Sequence, residues 1–235
     1  MNDTKIEWTD KTLNCVVGCP HGCSFCYARG QAKRQLHRCK LCYDFTTHPH
    51  LERLNQLSPK QKPKMVFMDS MWDWNAKGVL DEWINPQIIK MEECSQHIFQ
   101  ILSKRPIRYS RFTYPQNVWL GTSICDWKDN YRIHDLCKAV PNNLKFVSIE
   151  PIHGPVNFYF GTRKRRDSPE WIIIGAETGK HKNKILPVKA WVDPIIENCK
   201  EVNIPVFIKN NLIKLWGESY KTQEFPMITL GMKEN

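Results

Sequence analysis

The sequence predicts an α/β fold organised around a largely parallel sheet. Three observations carry this expectation. Short β-rich runs alternate with segments of helical apolar spacing, Pro and Gly punctuate the joints, and the strand candidates end in polar residues. The 235 residues, 41% hydrophobic and 25% charged, have the composition of one globular domain rather than of a disordered segment.

Taken in order, a first strand is expected around 13–17, ahead of a cysteine-rich stretch. Further strands are expected at 64–69, 97–102, 118–123, 144–149, 171–175 and 204–209. Between them, 79–96, 130–139 and 188–202 carry helical periodicity, and Pro115, Pro141, Pro151, Pro169 and Pro205 fall at joints. In parallel β/α units, function collects at the C-terminal ends of the strands. Those ends carry Asp69 and Ser70; Ser103, Lys104 and Arg105; Thr122 and Ser123; Glu150; Glu177; and Lys209, Asn210 and Asn211. One shared polar face explains this repetition better than unrelated loops do.

Thirty-four Lys and Arg against 24 Asp and Glu leave a net charge of +10. Such a surplus attracts polyanions, so nucleic acid or a nucleotide is the expected partner. Basic runs at 58–64, 161–167 and 180–184, with Arg29, Lys33, Arg34, Arg38 and Lys40, are candidates for a phosphate-contacting surface. Trp72, Trp74 and Trp127 follow expected strands and are candidates for stacking on unpaired bases.

The polar N-terminus carries no apolar signal segment, and no run approaches the roughly 20 apolar residues that span a bilayer. A cytoplasmic, reducing compartment is therefore expected, where clustered thiols point to metal or catalysis rather than to disulfides. Six of the ten cysteines (Cys15, Cys19, Cys23, Cys26, Cys39 and Cys42) fall within 28 positions. Cys94, Cys137 and Cys199 sit in helix-like segments and read as core residues. Cys125 follows a strand and is a candidate catalytic hydrogen donor.

Cys19, Cys23 and Cys26 form Cys-x3-Cys-x2-Cys, with Phe25 immediately before the third cysteine. Three such thiolates can hold three irons of a cubane [4Fe–4S] cluster and leave the fourth iron open to a small molecule. An overlapping pattern, Cys23-x2-Cys26 followed by Cys39-x2-Cys42, has the spacing of a tetrahedral zinc site and would make this segment a zinc-stabilised nucleic-acid-binding module. Cys39 and Cys42 can instead hold an additional metal with Cys15 or His37, or serve as reduced thiols in an insertion around 37–45.

The cysteine triad resembles the signature of the radical-SAM superfamily. More narrowly, the chain resembles a phage- and mobile-element-associated three-cysteine-motif family akin to spore photoproduct lyases. The matching segments are Lys5-Ile-Glu-Trp-Thr9, Gly18-Cys19, Cys26-Tyr27-Ala28, Val66-Phe-Met-Asp-Ser-Met71, Leu102-Ser-Lys-Arg-Pro106, Val118-Trp-Leu-Gly-Thr-Ser123, Ser148-Ile-Glu-Pro151 and Ile174-Gly-Ala-Glu-Thr-Gly179. The resemblance implies a single domain, a partial parallel (β/α) barrel with an N-terminal cluster loop after its first strand. It implies a [4Fe–4S] cluster on Cys19, Cys23 and Cys26 and S-adenosylmethionine (SAM) reductively cleaved to a 5′-deoxyadenosyl radical. An electron donor such as flavodoxin or ferredoxin, a partner protein and a bacterial host follow from the same resemblance. Ser70 and Asp73 are then expected at the methionine or ribose part of SAM. Ser103, Lys104 and Arg105 are expected at its carboxylate or at a substrate phosphate, and Ser123 and Glu150 at the ribose. The superfamily's Gly-Gly-Glu element has no counterpart after the second strand, and Gly175-Ala-Glu177 is not its equivalent. The implied substrate is a nucleobase undergoing modification or repair, with a peptide as the alternative.

Overall fold

The alternating apolar runs form strands that pair in nearly sequential order. The computed structural model describes residues 1–35, 37–140, 142–157, 167–178 and 183–227. In chain order the elements are β1 (Asn2–Asp3), β2 (Lys11–Leu13), β3 (Val16–Val17), α1 (Tyr27–Gln35), α2 (Lys40–Tyr43), β4 (His48–Pro49), β5 (Met65–Met68), α3 (Asp81–Glu93), β6 (Ile98–Ser103), β7 (Val118–Ile124), α4 (Tyr131–Ala139), β8 (Lys145–Ile149), β9 (Trp171–Ile174), α5 (Lys189–Glu201), β10 (Val206–Ile208) and α6 (Asn210–Trp216). The main sheet has eight strands in the order β1-β2-β5-β6-β7-β8-β9-β10. Every pairing in it is parallel except β1 with β2. β3 and β4 form a separate antiparallel pair, Val16 opposite Pro49 and Val17 opposite His48.

The strands expected from 64 onward are all present, as are the three helices, with their ends shifted by up to three residues. The strand expected around 13–17 is divided. Its pairing with β5 ends at Leu13, and Val16 and Val17 leave for the small sheet. The buried Asp69 carboxylate causes the departure by accepting the backbone N–H groups of Cys15 and Val16 at 2.6 and 2.9 Å. The basic stretch 161–166, residues 179–182 and Pro141 lie outside the described residues.

Strand residues alternate between two apolar layers, as a period of two requires. Val66, Met68, Phe99, Ile101, Val147, Ile172 and Ile174 pack with Ile84 and Met91 of α3, Ile133 and Leu136 of α4, and Val192 and Ile195 of α5. The opposite face carries Phe67, Ile98, Trp119, Phe146, Trp171, Ile173 and Phe207, gathered around Trp8. The Trp8 ring lies 4.8 Å from that of Phe67 on β5 and 6.2 Å from that of Trp171 on β9, so those two rings are within about 12 Å of each other. Four strand spacings in a flat sheet would span roughly 19 Å. The sheet therefore curls, with Trp8 filling its concave side. Cys94, Cys137 and Cys199 are buried core residues, as the sequence predicts. No helix among the described residues is long and apolar enough to cross a membrane.

Candidate functional site

Parallel register brings the C-terminal ends of the strands to one end of the curled sheet, and a cavity opens there. Its walls include Ser70, Asp73, Ser103, Lys104, Ser123, Glu150, Glu177 and Lys209 from the strand ends. The loop after β3 supplies Cys19, His21, Cys23, Phe25 and Cys26, while Trp8 and Phe67 form part of the apolar floor. The cysteine loop is pinned at its entry, where the Gly18 N–H donates to the Met71 carbonyl at 3.2 Å. Asn14 Oδ1 accepts from both the Ser70 hydroxyl and the Met71 N–H at 3.1 Å, fixing the turn after β5 against the same loop.

Asp73 organises one wall. Its Oδ1 accepts from Ser103 Oγ at 2.7 Å and Asn75 N–H at 3.0 Å, and its Oδ2 from the Lys104 N–H at 2.8 Å. His21 Nε2 lies 3.1 Å from Oδ2. Burial works to raise the carboxyl's pKa, yet the His21 hydrogen bond and charge, with the Lys104 N–H and Ser103 hydroxyl, hold it below the usual range. Asp73 and Ser103 are thus engaged with the protein, and their role is to position Lys104 and His21. Arg105 is exposed, outside the cavity lining, and donates its backbone N–H to Ser103 Oγ.

Lys104 reaches the cysteine loop, its Nζ 2.8 Å from Cys23 Sγ and 5.3 Å from the Phe25 ring centroid. Burial disfavours its charge, but the hydrogen bond and charge of Cys23 outweigh that and hold its pKa above the ordinary lysine value. Across the cavity, Glu150 Oε1 pairs with Lys209 Nζ at 2.6 Å, and its Oε2 accepts from Trp8 Nε1 at 3.2 Å. Gly175 makes room for that pair, since a Cβ there would stand 2.8 Å from Glu150 Oε1 and from Lys209 Cδ. His153 Nε2 lies 2.8 Å from Glu177 Oε2, with its ring edge-on to Phe25.

Among the expected site residues, Ser70, Asp73, Ser103, Lys104, Ser123, Glu150 and the three cysteines share this cavity. Cys125 is not part of its lining; its N–H donates to Asp129 Oδ2, and burial pushes its thiol up to about 12. Trp74 is a core residue bonded through Nε1 to Tyr114, so it is closed to base stacking. Trp72 is also buried but lines the cavity, whereas Trp127 is 58% exposed. Lys209 lies in the cavity as its place at a polar strand end suggested, and Trp8, part of the segment Lys5–Thr9, lines it too. Sequence reasoning missed His21 in the lining and His153 beside Glu177 and Phe25.

A family model described as Protein of unknown function (DUF5131) matches residues 3–232. The chain belongs to that family. No curated protein and no solved structure matches it. The chemistry of this family member rests on its own donor atoms.

Those donors fall into two sets. Cys19, Cys23 and Cys26 share a cavity wall, and among the described residues no other cysteine lines it. Three thiolates on one loop can each take a separate iron of a cluster.

The second set is Cys39, Cys42, His48 and His50, whose donor atoms all lie within 4.8 Å of one another. This grouping overturns the four-cysteine site expected from Cys23, Cys26, Cys39 and Cys42, because the first two thiols face the cavity instead. It equally displaces Cys15 and His37 as co-ligands. Cys15 is fully buried in the core, and His37 Nε2 lies against the Arg34 carbonyl. His48 and His50 went unnoticed, although the pattern Cys39-x2-Cys42-x5-His48-x-His50 stands in the sequence.

Proposed function

We propose that the protein is a radical-SAM enzyme acting on a nucleobase in nucleic acid or a nucleotide. The observation that carries this reading is the placement of Cys19, Cys23 and Cys26 on one wall of a charged cavity at the C-terminal end of a curled parallel sheet. Cys19, Cys23 and Cys26 would hold a [4Fe–4S] cluster, and with SAM bound beside it the cluster would supply one-electron reductive cleavage of the cofactor's carbon–sulfur bond.

The chain's own residues then have definite tasks. Lys104 sets its ammonium 2.8 Å from Cys23 Sγ, so positive charge stands beside the wall that would hold the cluster. Asp73 holds Lys104, Ser103 and His21 in register, so the wall is fixed before a ligand arrives. Glu150, oriented by Lys209 and Trp8, presents a carboxylate suited to ribose hydroxyls, and Ser70 and Ser123 add hydroxyls on the same lining. Trp8, Phe67 and Leu102 exclude water from the floor.

The nucleobase part rests on charge beside the cavity. Arg29, Lys33, Arg34, Arg38 and Lys40 are all exposed on and just after α1, the element that follows the cysteine loop. The run at 58–64 precedes β5 and so belongs to the opposite end of the sheet.

The test is anaerobic metal analysis of the purified chain combined with an assay for 5′-deoxyadenosine after reduction in the presence of SAM. About four irons per chain and deoxyadenosine are expected, and both should be lost in Cys19→Ala, Cys23→Ala and Cys26→Ala. A chain that takes up no iron under reconstitution and leaves SAM intact would overturn the proposal.

A further inference from the structure

The second donor set stands apart from the cavity and has its own geometry. Cys39 Sγ and Cys42 Sγ each lie 3.4 Å from His48 Nε2, and Cys42 Sγ lies 3.1 Å from His50 Nε2. Sulfur and nitrogen bound to one tetrahedral zinc, at about 2.3 and 2.0–2.1 Å, stand roughly 3.6 Å apart. The observed spacings fall just short of that and need only a slight spreading to admit the ion.

The orientation of the rings is a separate observation. Both histidines direct Nε2 at the thiols, and each engages its other nitrogen elsewhere. His48 Nδ1 lies 2.8 Å from the Thr46 carbonyl, and His50 Nδ1 lies 3.1 Å from Glu52 Oε1. An acceptor at Nδ1 puts the proton on that nitrogen and leaves the Nε2 lone pair facing the thiols, the tautomer that a metal requires. Two thiolates and two neutral imidazoles form a soft, compact set suited to zinc. A two-iron centre with the same residues would place the sulfurs and nitrogens on different metals. A span under 4.8 Å for all four atoms does not accommodate that division.

We infer that Cys39, Cys42, His48 and His50 bind one structural Zn²⁺, and that this ion locks the cysteine loop of the cavity in place. Binding releases the two thiol protons and leaves a centre of no net charge. The locking follows from where the ligands sit. His48 belongs to β4 and pairs across from Val17, and the His50 N–H donates to the Cys15 carbonyl at 2.6 Å. Between β3 and Cys19 stands Gly18, at φ +91° and packed so tightly on the Thr46 backbone that any Cβ would overlap it. Cys42 packs with Val17, Ala28, Ala32, Phe45 and Met71, and the side chains of Cys19, Cys26 and Cys39 rest on that cluster. The four zinc ligands therefore draw α2 and β4 onto the strand that delivers Cys19. This inference is independent of what the cavity binds.

Elemental analysis and zinc-edge X-ray absorption of the full chain, purified anaerobically, test it. One zinc per chain with two sulfurs at about 2.3 Å and two nitrogens at about 2.0–2.1 Å is expected. Cys23→Ala should keep its zinc, whereas His50→Ala should weaken zinc binding at least tenfold in competition with a chelator. A shell of four sulfurs, loss of zinc in Cys23→Ala, or a wild-type chain that binds neither zinc nor cobalt(II) would overturn the site. For the locking role, hydrogen exchange is followed on the wild-type chain before chelation, after it, and after zinc is restored. Amides at 16–18 should exchange faster without the ion and recover when it returns. Exchange that ignores zinc would overturn the locking role.

Discussion

Asp69 shows how one buried carboxylate can shape a loop and tie stability to pH. It has φ +56° at the end of β5, is 3% exposed, and accepts two backbone N–H groups on Oδ1. Burial pushes its pKa up to about 7 against the pull of those donors. The unfolded chain titrates this group near pH 4. Between those values the folded state holds more protons, so stability falls as pH rises from roughly 4 to 7, by a few kcal/mol at most. Asp69→Asn keeps an acceptor for both N–H groups and removes the titration. Denaturant melts should show the variant gaining on the wild type as pH is raised to 8, and parallel curves would refute this assignment. A second buried charge makes a different prediction. Lys145 is fully buried, and its Nζ, without a hydrogen-bond partner, lies 3.5 Å from Glu170 Oε2. Glu170→Ala strands that ammonium and should cost about 3–5 kcal/mol, while a joint Lys145→Met, Glu170→Leu replacement should recover most of it. At this scale the sequence was only partly informative. The three cavity thiols stand in one compact motif, but for Cys39 and Cys42 the sequence offers several readings, with Cys23 and Cys26, with Cys15 or His37, or as free thiols. Their true neighbours, His48 and His50, are separated by one residue, and only the turn at 44–47 brings them back over α2.

Individual elements divide by how they are stabilised. The parallel strands were legible because they are continuous apolar runs buried on both faces, bounded by polar or turn residues. α1 was not, since it buries only Ala28 and Ala32 and carries no apolar stripe. The two-residue strands β3 and β4 leave no periodicity to read, and they exist because hydrogen bonds and side chains around them specify the pairing. β7 illustrates the opposite constraint, set by its register partners on β6 and β8. A Cβ at Gly121 would lie 2.5 Å from the Phe146 ring and 2.7 Å from Leu102 Cδ2, so both side chains pack into the space that a Cβ would take. Gly121→Ala should destabilise by about 1–3 kcal/mol through overpacking. Adding Phe146→Leu should recover part of the loss in thermal melts. Failure of that rescue would point to backbone strain instead of crowding.

For the whole molecule, the excess of positive charge becomes useful only where it is concentrated. Five exposed basic side chains lie between 29 and 40, on and just after α1, whose first residues Tyr27 and Ala28 line the cavity, while the other described run, at 58–64, belongs to the far end of the sheet. If those five contact single-stranded phosphates, affinity for an oligonucleotide should fall about 10²-fold between 50 and 200 mM salt. Replacing Arg29, Lys33 and Arg34 by Glu should flatten that dependence, as titrations at several salt concentrations would show. A slope unchanged by the replacement would move the nucleic-acid surface elsewhere.

Trp8 also has a consequence in time. The sheet grows strand by strand in the order of synthesis, so each new strand finds its neighbour already made. The residues that fill its concave face do not enjoy that order. Trp8 Nε1 waits for Glu150, 142 positions later, and Glu7 accepts the N–H of Asn210 after a separation of 203. At about 5–20 residues per second, the nascent chain keeps its aromatic inner face uncovered for on the order of 10–40 s. During that interval the half-curled sheet is sticky and the thiols that will line its mouth are open to oxidants. The yield of intact protein should therefore depend on how quickly the last strands leave the ribosome and how well chaperones shield the interval.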